Sequence, residues 1–139
     1  DLDSRLEKFY DSQFDIAILS QTLQSIKNVE KILKDMTRVS KSSIVSFPNF
    51  AFKPMREMFF NEGKAPKISG WYGYNWYDTP NIHFCTVKDF DELCLSKGIE
   101  VITRMVVDSK HKKGLGVGVL PNLLGETAIY HLTRNKTEK

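Results

Sequence analysis

The chain has 139 residues, of which 41% are hydrophobic. This length suits one hydrophobic core and is too short for two ordinary domains, so we expect a single domain over residues 1–139. Its 20 basic and 17 acidic residues are mostly interspersed and give a formal charge of +3, which argues against a nucleic-acid-binding surface. Since no apolar run approaches the roughly 20 residues of a membrane span and no signal-peptide pattern is present, we predict a cytoplasmic protein without a membrane partner.

The cysteine spacing excludes a zinc site built on paired thiols. Cys85 and Cys94 lie too far apart for a CxxC pair, and there is no second pair to complete a metal site. We therefore expect two reduced thiols and no bound metal.

The first third of the chain has the pattern of a strand, a helix and a second strand. Residues 14–19 (FDIAIL) are rich in branched apolar side chains, which is typical of a short buried strand. Asn28 suits the N-cap of a helix, and apolar residues then repeat at helical spacing as far as Val39. A second apolar strand follows at residues 43–47. Short connections between these three elements predict a right-handed parallel crossover.

The middle of the chain contains two helix patterns on either side of an aromatic segment. Pro54 suits the first turn of a short helix that ends near residues 61–63. Residues 64–80 contain two prolines and five large aromatics, so we expect a structured cover segment over the sheet. Thr86 and Asp89 then have the spacing of a capping box, and Gly98 is a good stop for the helix that follows.

Two strands, at residues 100–107 and 127–133, are predicted to end the domain as an antiparallel pair. Residues 108–126 form the long connection between them. Within it, the glycine-rich residues 114–119 lack the GxGxxG spacing of a phosphate-binding loop, so we interpret them as a flexible hairpin loop. Together the elements predict an α/β fold in which a mostly parallel sheet ends in an antiparallel pair, with helices on both faces.

Four motifs, taken together and in order, carry a resemblance: ILSQTLQ at residues 18–24, IVSFPNF at 44–50, WYDTPNIHFCT at 76–86 and LPNLLGE at 120–126. With these motifs the sequence resembles the MetW family of methionine-biosynthesis proteins, which is similar to class I methyltransferases that use S-adenosylmethionine. The resemblance implies a partial Rossmann-like class I methyltransferase fold. The N-terminal part of that fold, which carries the glycine-rich cofactor loop, is not found in this sequence.

Without the N-terminal part of the fold, residues 14–19 would lack one neighbouring strand. They would then form an unpaired sheet edge, which proteins usually cover or pair. We therefore expect either that the chain is the C-terminal portion of a longer protein, or that the edge pairs with a second copy in a homodimer.

The resemblance also implies a cofactor site. Asp1 and Leu2 look like the short acidic motif beside the adenine ring, and Ser20 and Gln21 lie where a strand end would meet S-adenosylmethionine. This assignment requires the N-terminal part to be present. The alternative for Ser20 and Gln21 is that polar residues close the strand for solubility alone.

The densest group of chemically active side chains lies in WYDTPNIHFCT. A neutral His83 beside the carboxylate of Asp78 would suit a general base near pH 7, so we predict these two as catalytic residues. The alternative is a structural pair that anchors the aromatic cover. The predicted substrate or partner pocket contains Asn49, Trp76, Tyr77 and Asn81.

Three functions follow, in order of preference. The first is a MetW-like protein accessory to homoserine O-acyltransferase that also binds S-adenosylmethionine. The second is an S-adenosylmethionine-dependent methyltransferase acting on a small-molecule substrate. The third is a non-catalytic interaction domain.

Overall fold

The structure is a computed structural model of the chain. It describes residues 6–66, 74–108, 110 and 114–134. Residues 1 and 2 of the predicted cofactor site and the centre of the predicted cover segment, residues 67–73, lie outside the described residues.

The described strands form one mixed four-stranded sheet in the order β1-β2-β4-β3. Their bounds are β1 Phe14–Ser20, β2 Ser40–Pro48, β3 Ile99–Val107 and β4 Thr127–Arg134. β1 and β2 are parallel, and β4 is antiparallel to both of its neighbours, β2 and β3. The predicted α/β fold is confirmed, including the parallel crossover at the start and the antiparallel pair at the end.

In the described part of the chain, three longer helices and two short ones accompany the sheet. They are α1 Val29–Val39, α2 Lys53–Glu62, α3 Val87–Ser96, α4 Leu115–Val119 and α5 Pro121–Leu124. A further 3-10 turn, Leu23–Ser25, follows β1. Among the described residues, no helix has the length and apolar content that crossing a membrane requires.

The predicted helix ends are confirmed at the level of individual hydrogen bonds. The side chain of Asn28 accepts a hydrogen bond from the Lys31 amide at 3.0 Å and so caps α1. The hydroxyl of Thr86 accepts one from the Asp89 amide at 3.1 Å and caps α3. Gly98 follows α3 with φ of +63°, the left-handed conformation in which glycine commonly ends helices.

The prediction of a flexible loop at residues 114–119 was wrong, because most of this segment is helix α4. The amide of Gly118 donates to the Gly114 carbonyl and the amide of Leu120 donates to the Gly116 carbonyl. Glycine has low helix propensity, by roughly 1 kcal/mol relative to alanine. Val117 is buried in the main core, and this tertiary contact outweighs the local preference.

The core lies between one face of the sheet and helices α1 and α3. Phe47, Phe90 and Tyr130 pack against one another with ring centroids 4.5 to 5.8 Å apart. The Tyr130 hydroxyl donates to the carboxylate of Asp91 at 2.7 Å. Burial and this carboxylate raise the pKa of Tyr130 far above its usual range. The tyrosine is therefore a neutral donor in the core at any physiological pH.

β1 is an edge of the sheet, as predicted: among the described strands it pairs with β2 alone. Its side chains alternate in burial. Leu19 is buried on the core face, whereas Ile16 and Ile18 on the opposite face are 56% and 68% exposed. A β1 edge with exposed branched apolar side chains is a surface that proteins usually cover or pair.

Gly125 allows a close approach between the turn before β4 and strand β3. A Cβ atom at this position would overlap the Val106 side chain and lie 2.7 Å from the Pro121 carbonyl oxygen.

We expect Gly125→Ala to lower the free energy of unfolding by about 1–3 kcal/mol, because forcing atoms into a packed site displaces its neighbours. Urea unfolding would measure this. The matched control is Gly118→Ala, where a Cβ meets nothing within 4 Å; equal unfolding midpoints for the two variants would contradict the prediction.

Candidate functional site

The chain leaves β1 through a strained residue. Gln21 has φ of +50°, a conformation that costs residues other than glycine roughly 1 kcal/mol or more. Its amide donates to the Ser46 carbonyl at 2.9 Å and lies 3.1 Å from the Ser46 hydroxyl. The neighbouring Ser20 is exposed, with its hydroxyl 3.4 Å from that of Ser46. The predicted cofactor residues Ser20 and Gln21 therefore do lie together at the carboxyl ends of the two parallel strands.

Gln24 places a buried acceptor beside this strand end. Its side-chain amide donates to the Gln21 carbonyl at 2.9 Å. Because a carbonyl can only accept, this bond fixes which end of the amide carries the nitrogen. The other end, Oε1, is buried and has no hydrogen-bond partner among the described residues. An unsatisfied buried acceptor costs about 1–3 kcal/mol, so a ligand or water donor would be favourable here.

Gln24 also anchors the stretch that contains the predicted base. Its backbone carbonyl accepts hydrogen bonds from the amides of Ile82 and His83, at 2.9 and 3.1 Å. The imidazole Nε2 of His83 lies 2.8 Å from the Ile26 carbonyl oxygen. Nε2 must therefore carry the proton in the neutral ring, which leaves Nδ1 as the basic nitrogen. The motifs ILSQTLQ and WYDTPNIHFCT thus meet at the end of β1.

Asp78 has a different partner from His83. Its carboxylate accepts a hydrogen bond from the Asn75 side chain at 3.1 Å, and its amide donates to the Asn75 carbonyl at 3.2 Å. Between these two described residues, Asp78 and His83, there is no hydrogen bond or ion pair. Asp78 is exposed in a local turn, so the structure does not join the two residues predicted to act together.

Asn49 is buried and holds three segments together. Its side-chain NH₂ donates to the carbonyls of Asn122 and Gly125 at 3.1 and 2.8 Å. Its side-chain oxygen accepts from the amides of Ala51 and Val87 at 3.1 and 3.3 Å. All four bonding positions of the amide are used inside the protein. The structure thus gives Asn49 a structural role, and its part in a substrate or partner pocket stays a prediction.

The other three residues of the predicted pocket lie in the segment that faces helix α2. Trp76 is 77% exposed, and its ring meets that of Tyr77 edge to face at 5.6 Å. Asn81 is half-buried and its amide donates to the Thr79 hydroxyl at 3.1 Å. Trp76 and Asn81 line one side of a groove whose other side is formed by Met55 and Phe59.

Both cysteines are free thiols. Burial, together with the charge of Asp89, raises the pKa of Cys85 to about 12. Burial and the charge of Asp91 raise the pKa of Cys94 to about 12. Protonated thiols are poor nucleophiles, so neither cysteine suits covalent catalysis at neutral pH. In the described part of the chain, no cluster of three or more His, Cys, Asp or Glu side chains could hold a metal ion.

Sequence reasoning missed Gln24 and Ser46 as parts of the strand-end site. Gln24 lies in the ILSQTLQ motif, three residues beyond the predicted Gln21, and that spacing is the signal that could have pointed to it. Ser46 is a polar residue within an apolar strand, but its partner is 25 residues away in sequence.

The fold defined by this sheet is shared with S-adenosylmethionine-dependent methyltransferases of known structure. One from Thermotoga maritima, described as a possible histamine N-methyltransferase, matches with a TM-score of 0.63 and 20% identity over 96% of this chain and 60% of that one. One from Methanosarcina mazei matches with a TM-score of 0.60 and 17% identity over 96% of this chain and 64% of that one. At these identities the likeness shows a methyltransferase-like fold.

The family model for methionine biosynthesis protein MetW matches residues 1–132, so this chain belongs to the MetW family. The chain is also 35% identical over 129 residues to the bifunctional methionine biosynthesis protein MetXA/MetW of Rhodopirellula baltica. That match covers 93% of this chain and 21% of the relative, so the chain spans about a fifth of the relative's length. The resemblance drawn from the four motifs is confirmed.

The bonding of Asn49 generates a stability prediction. Asn49→Asp keeps the shape and the accepting oxygen, but directs a second oxygen at the carbonyls of Asn122 and Gly125. We expect a loss of about 2–5 kcal/mol in the free energy of unfolding at pH 7, because two donors are replaced by a buried charge. Chemical denaturation would measure it. The matched control is Asn28→Asp, where the side chain only accepts and Asp is an equally good N-cap; an equal loss in both variants would contradict the role of Asn49.

Proposed function

We propose that this protein is accessory to homoserine O-acyltransferase in methionine biosynthesis and binds S-adenosylmethionine at the end of β1. The observation that carries the proposal is the relative from Rhodopirellula baltica, in which a domain 35% identical to this chain belongs to a single polypeptide named for both MetXA and MetW. Two activities carried on one polypeptide commonly act in the same process. The geometry supports a binding role, since Asp78 bonds to Asn75 in a local turn and His83 bonds to the Ile26 carbonyl, and the two are not joined to each other.

The residues at the strand end fit the proposed cofactor. In open α/β sheets, ligands bind outside the carboxyl ends of the strands, which is where Ser20 and Gln21 lie. S-adenosylmethionine carries amino and hydroxyl donors, and Gln24 offers a buried acceptor that has no donor among the described residues. The exposed Ser20 and the half-buried Gln21 would hold the ligand with their side chains, and Gln24 Oε1 would accept one of its hydrogens. When bound, the cofactor supplies a methyl group activated by its sulfonium charge.

The accessory role predicts that the acyltransferase binds this protein and depends on it for full solubility or activity. When the homoserine O-acyltransferase from the same organism is co-produced with the intact protein, we expect the two to co-purify and the acyltransferase to gain solubility or activity. The measurement is acyltransferase activity per mole of enzyme with and without this protein. An acyltransferase that is fully active, fully soluble and unaffected by the protein would refute the accessory role.

A second function is a small-molecule methyltransferase in which His83 acts as the base. Two observations favour it: the fold is shared with S-adenosylmethionine-dependent methyltransferases, and Nδ1 of His83 keeps its basic lone pair while Nε2 bonds to Ile26. If the protein is a methyltransferase, residues of this chain position the small molecule that accepts the methyl group, and His83 removes its proton.

Two substitutions at His83 separate catalysis from structure. His83→Gln can keep a donor to the Ile26 carbonyl but removes the basic nitrogen, so we expect methyl transfer to fall by about 100-fold or more with an unchanged melting temperature. His83→Leu removes both groups and should lower the melting temperature as well. Unchanged turnover in His83→Gln would contradict the catalytic role.

Calorimetric titration with S-adenosylmethionine tests both proposals that include this cofactor. Absence of any heat would remove both, and co-purification with the acyltransferase would then indicate a non-catalytic interaction domain.

A further inference from the structure

A narrow groove and a wider recess lie side by side between helix α2 and residues 74–84. We call the first the groove beside α2 and the second the recess. They adjoin, because both are lined by Ala65, Pro66, Tyr74, Asn75 and Trp76. The groove has a volume of about 100 Å³ and the recess about 480 Å³. Small-molecule sites commonly have volumes of about 300–1,000 Å³, so the recess has room for a small ligand and the groove for one part of it.

The walls of the groove are apolar and largely aromatic. Met55 is buried beside it, and Phe59, Trp76 and Phe84 line it with more than half of each residue's surface exposed. Phe84 is held by an edge-to-face contact with the partly buried Phe50, at 5.2 Å between ring centroids. Single exposed apolar residues are normal on protein surfaces, whereas aromatic rings grouped around a concavity are typical of ligand sites. Thioether and aliphatic groups pack well against such rings, so the groove fits an apolar part of a ligand.

The recess carries one side chain of each charge. Glu62 is the last residue of α2, and Lys64 follows it after Gly63, whose φ of +61° turns the chain. Both Glu62 and Lys64 line the recess. In the described part of the chain, neither side chain takes part in a hydrogen bond or an ion pair. A ligand with a single charge would pair with one of them and be repelled by the other, whereas a ligand with an ammonium and a carboxylate group can pair with both.

We propose that the groove and the recess together bind a free α-amino acid with an apolar side chain about the size of methionine or leucine. Its ammonium group would pair with the Glu62 carboxylate and its carboxylate with the Lys64 ammonium group. Its side chain would enter the groove between Phe59 and Trp76. L-methionine belongs to this class of ligand, and the chain belongs to a methionine-biosynthesis family, so L-methionine is the probe for the test.

The amino-acid site is additional to the proposed S-adenosylmethionine site. Ser20, Gln21 and Gln24, at the end of β1, line neither the groove nor the recess. The inference therefore goes beyond the proposed function and does not depend on it.

Calorimetric titration of the intact protein with L-methionine at low ionic strength tests the chemistry of the site. Two comparison ligands each lack one feature: N-acetyl-L-methioninamide has no charge, and glycine has no side chain. We expect each to bind about 10-fold more weakly than L-methionine, because one loses both ion pairs and the other loses the apolar contact. Equal binding of N-acetyl-L-methioninamide would overturn the pairing with Glu62 and Lys64. Absence of heat with L-methionine would overturn the whole proposal.

Two substitutions test the location of the site. We expect Trp76→Ala to weaken L-methionine binding by about 10-fold, since it removes one wall of the groove. Glu62→Gln should weaken it by about 3-fold, the size expected for an exposed ion pair. The matched controls are Leu95→Ala on α3, where Leu95 is 85% exposed, and Glu57→Gln on α2. Neither Leu95 nor Glu57 lines the groove or the recess, so both control variants should bind as the unaltered protein does.

Thermal unfolding of all four variants checks that each is folded. Unchanged binding in both Trp76→Ala and Glu62→Gln would overturn the location. Competition between L-methionine and S-adenosylmethionine for one site would assign the amino acid to the cofactor site and overturn the proposal of a separate one. Absence of S-adenosylmethionine binding in a protein that binds L-methionine would overturn the cofactor proposal and leave this one standing.

Discussion

The buried amide of Asn49 is the interaction on which the arrangement of this domain depends. It lies just beyond the end of β2, and its four hydrogen bonds reach the turn before β4 and the first residue of helix α3. Each bonded group would otherwise be left unsatisfied in the interior, at about 1–3 kcal/mol. The amide therefore fixes where the last strand enters the sheet and where α3 begins. Gly125 is part of the same junction, because no side chain fits between it and Val106.

Two further contacts extend this junction to the neighbouring strand. The amide of Phe50 donates to the Cys85 carbonyl at 3.0 Å, and the carbonyl of Gln24 accepts from Ile82 and His83. The backbone of residues 82–87 is thus bonded to the ends of both β1 and β2. Within this stretch Val87 is buried in the core, whereas the side chains of Ile82 and Phe84 remain at the surface. One short stretch thus contributes both to the proposed strand-end site and to the exposed aromatic groove beside α2.

The proposed strand-end site and the groove beside α2 are held in place by different contacts. The strand-end site depends on the strained turn at Gln21, which Ser46 holds through the backbone and the side chain. The groove depends on α2 and on the ring contact between Phe50 and Phe84, both of which line it. Both follow the ends of the parallel strands, the region where α/β proteins place their ligands.

The sequence by itself determined the order and type of the main elements, because their signals are local. Asn28, Thr86 and Gly98 mark helix ends through bonds to residues within one turn, and branched apolar runs mark the strands. The four motifs were enough to indicate the family.

Local signals failed at residues 114–119, where burial of Val117 decided in favour of a helix. Tertiary structure alone decided the site: it paired His83 with Ile26, and it gave Asn49 and the backbone carbonyl of Gln24 their distant partners. Those last partners are up to 76 residues away, and no local pattern specifies which distant carbonyl a buried amide will meet.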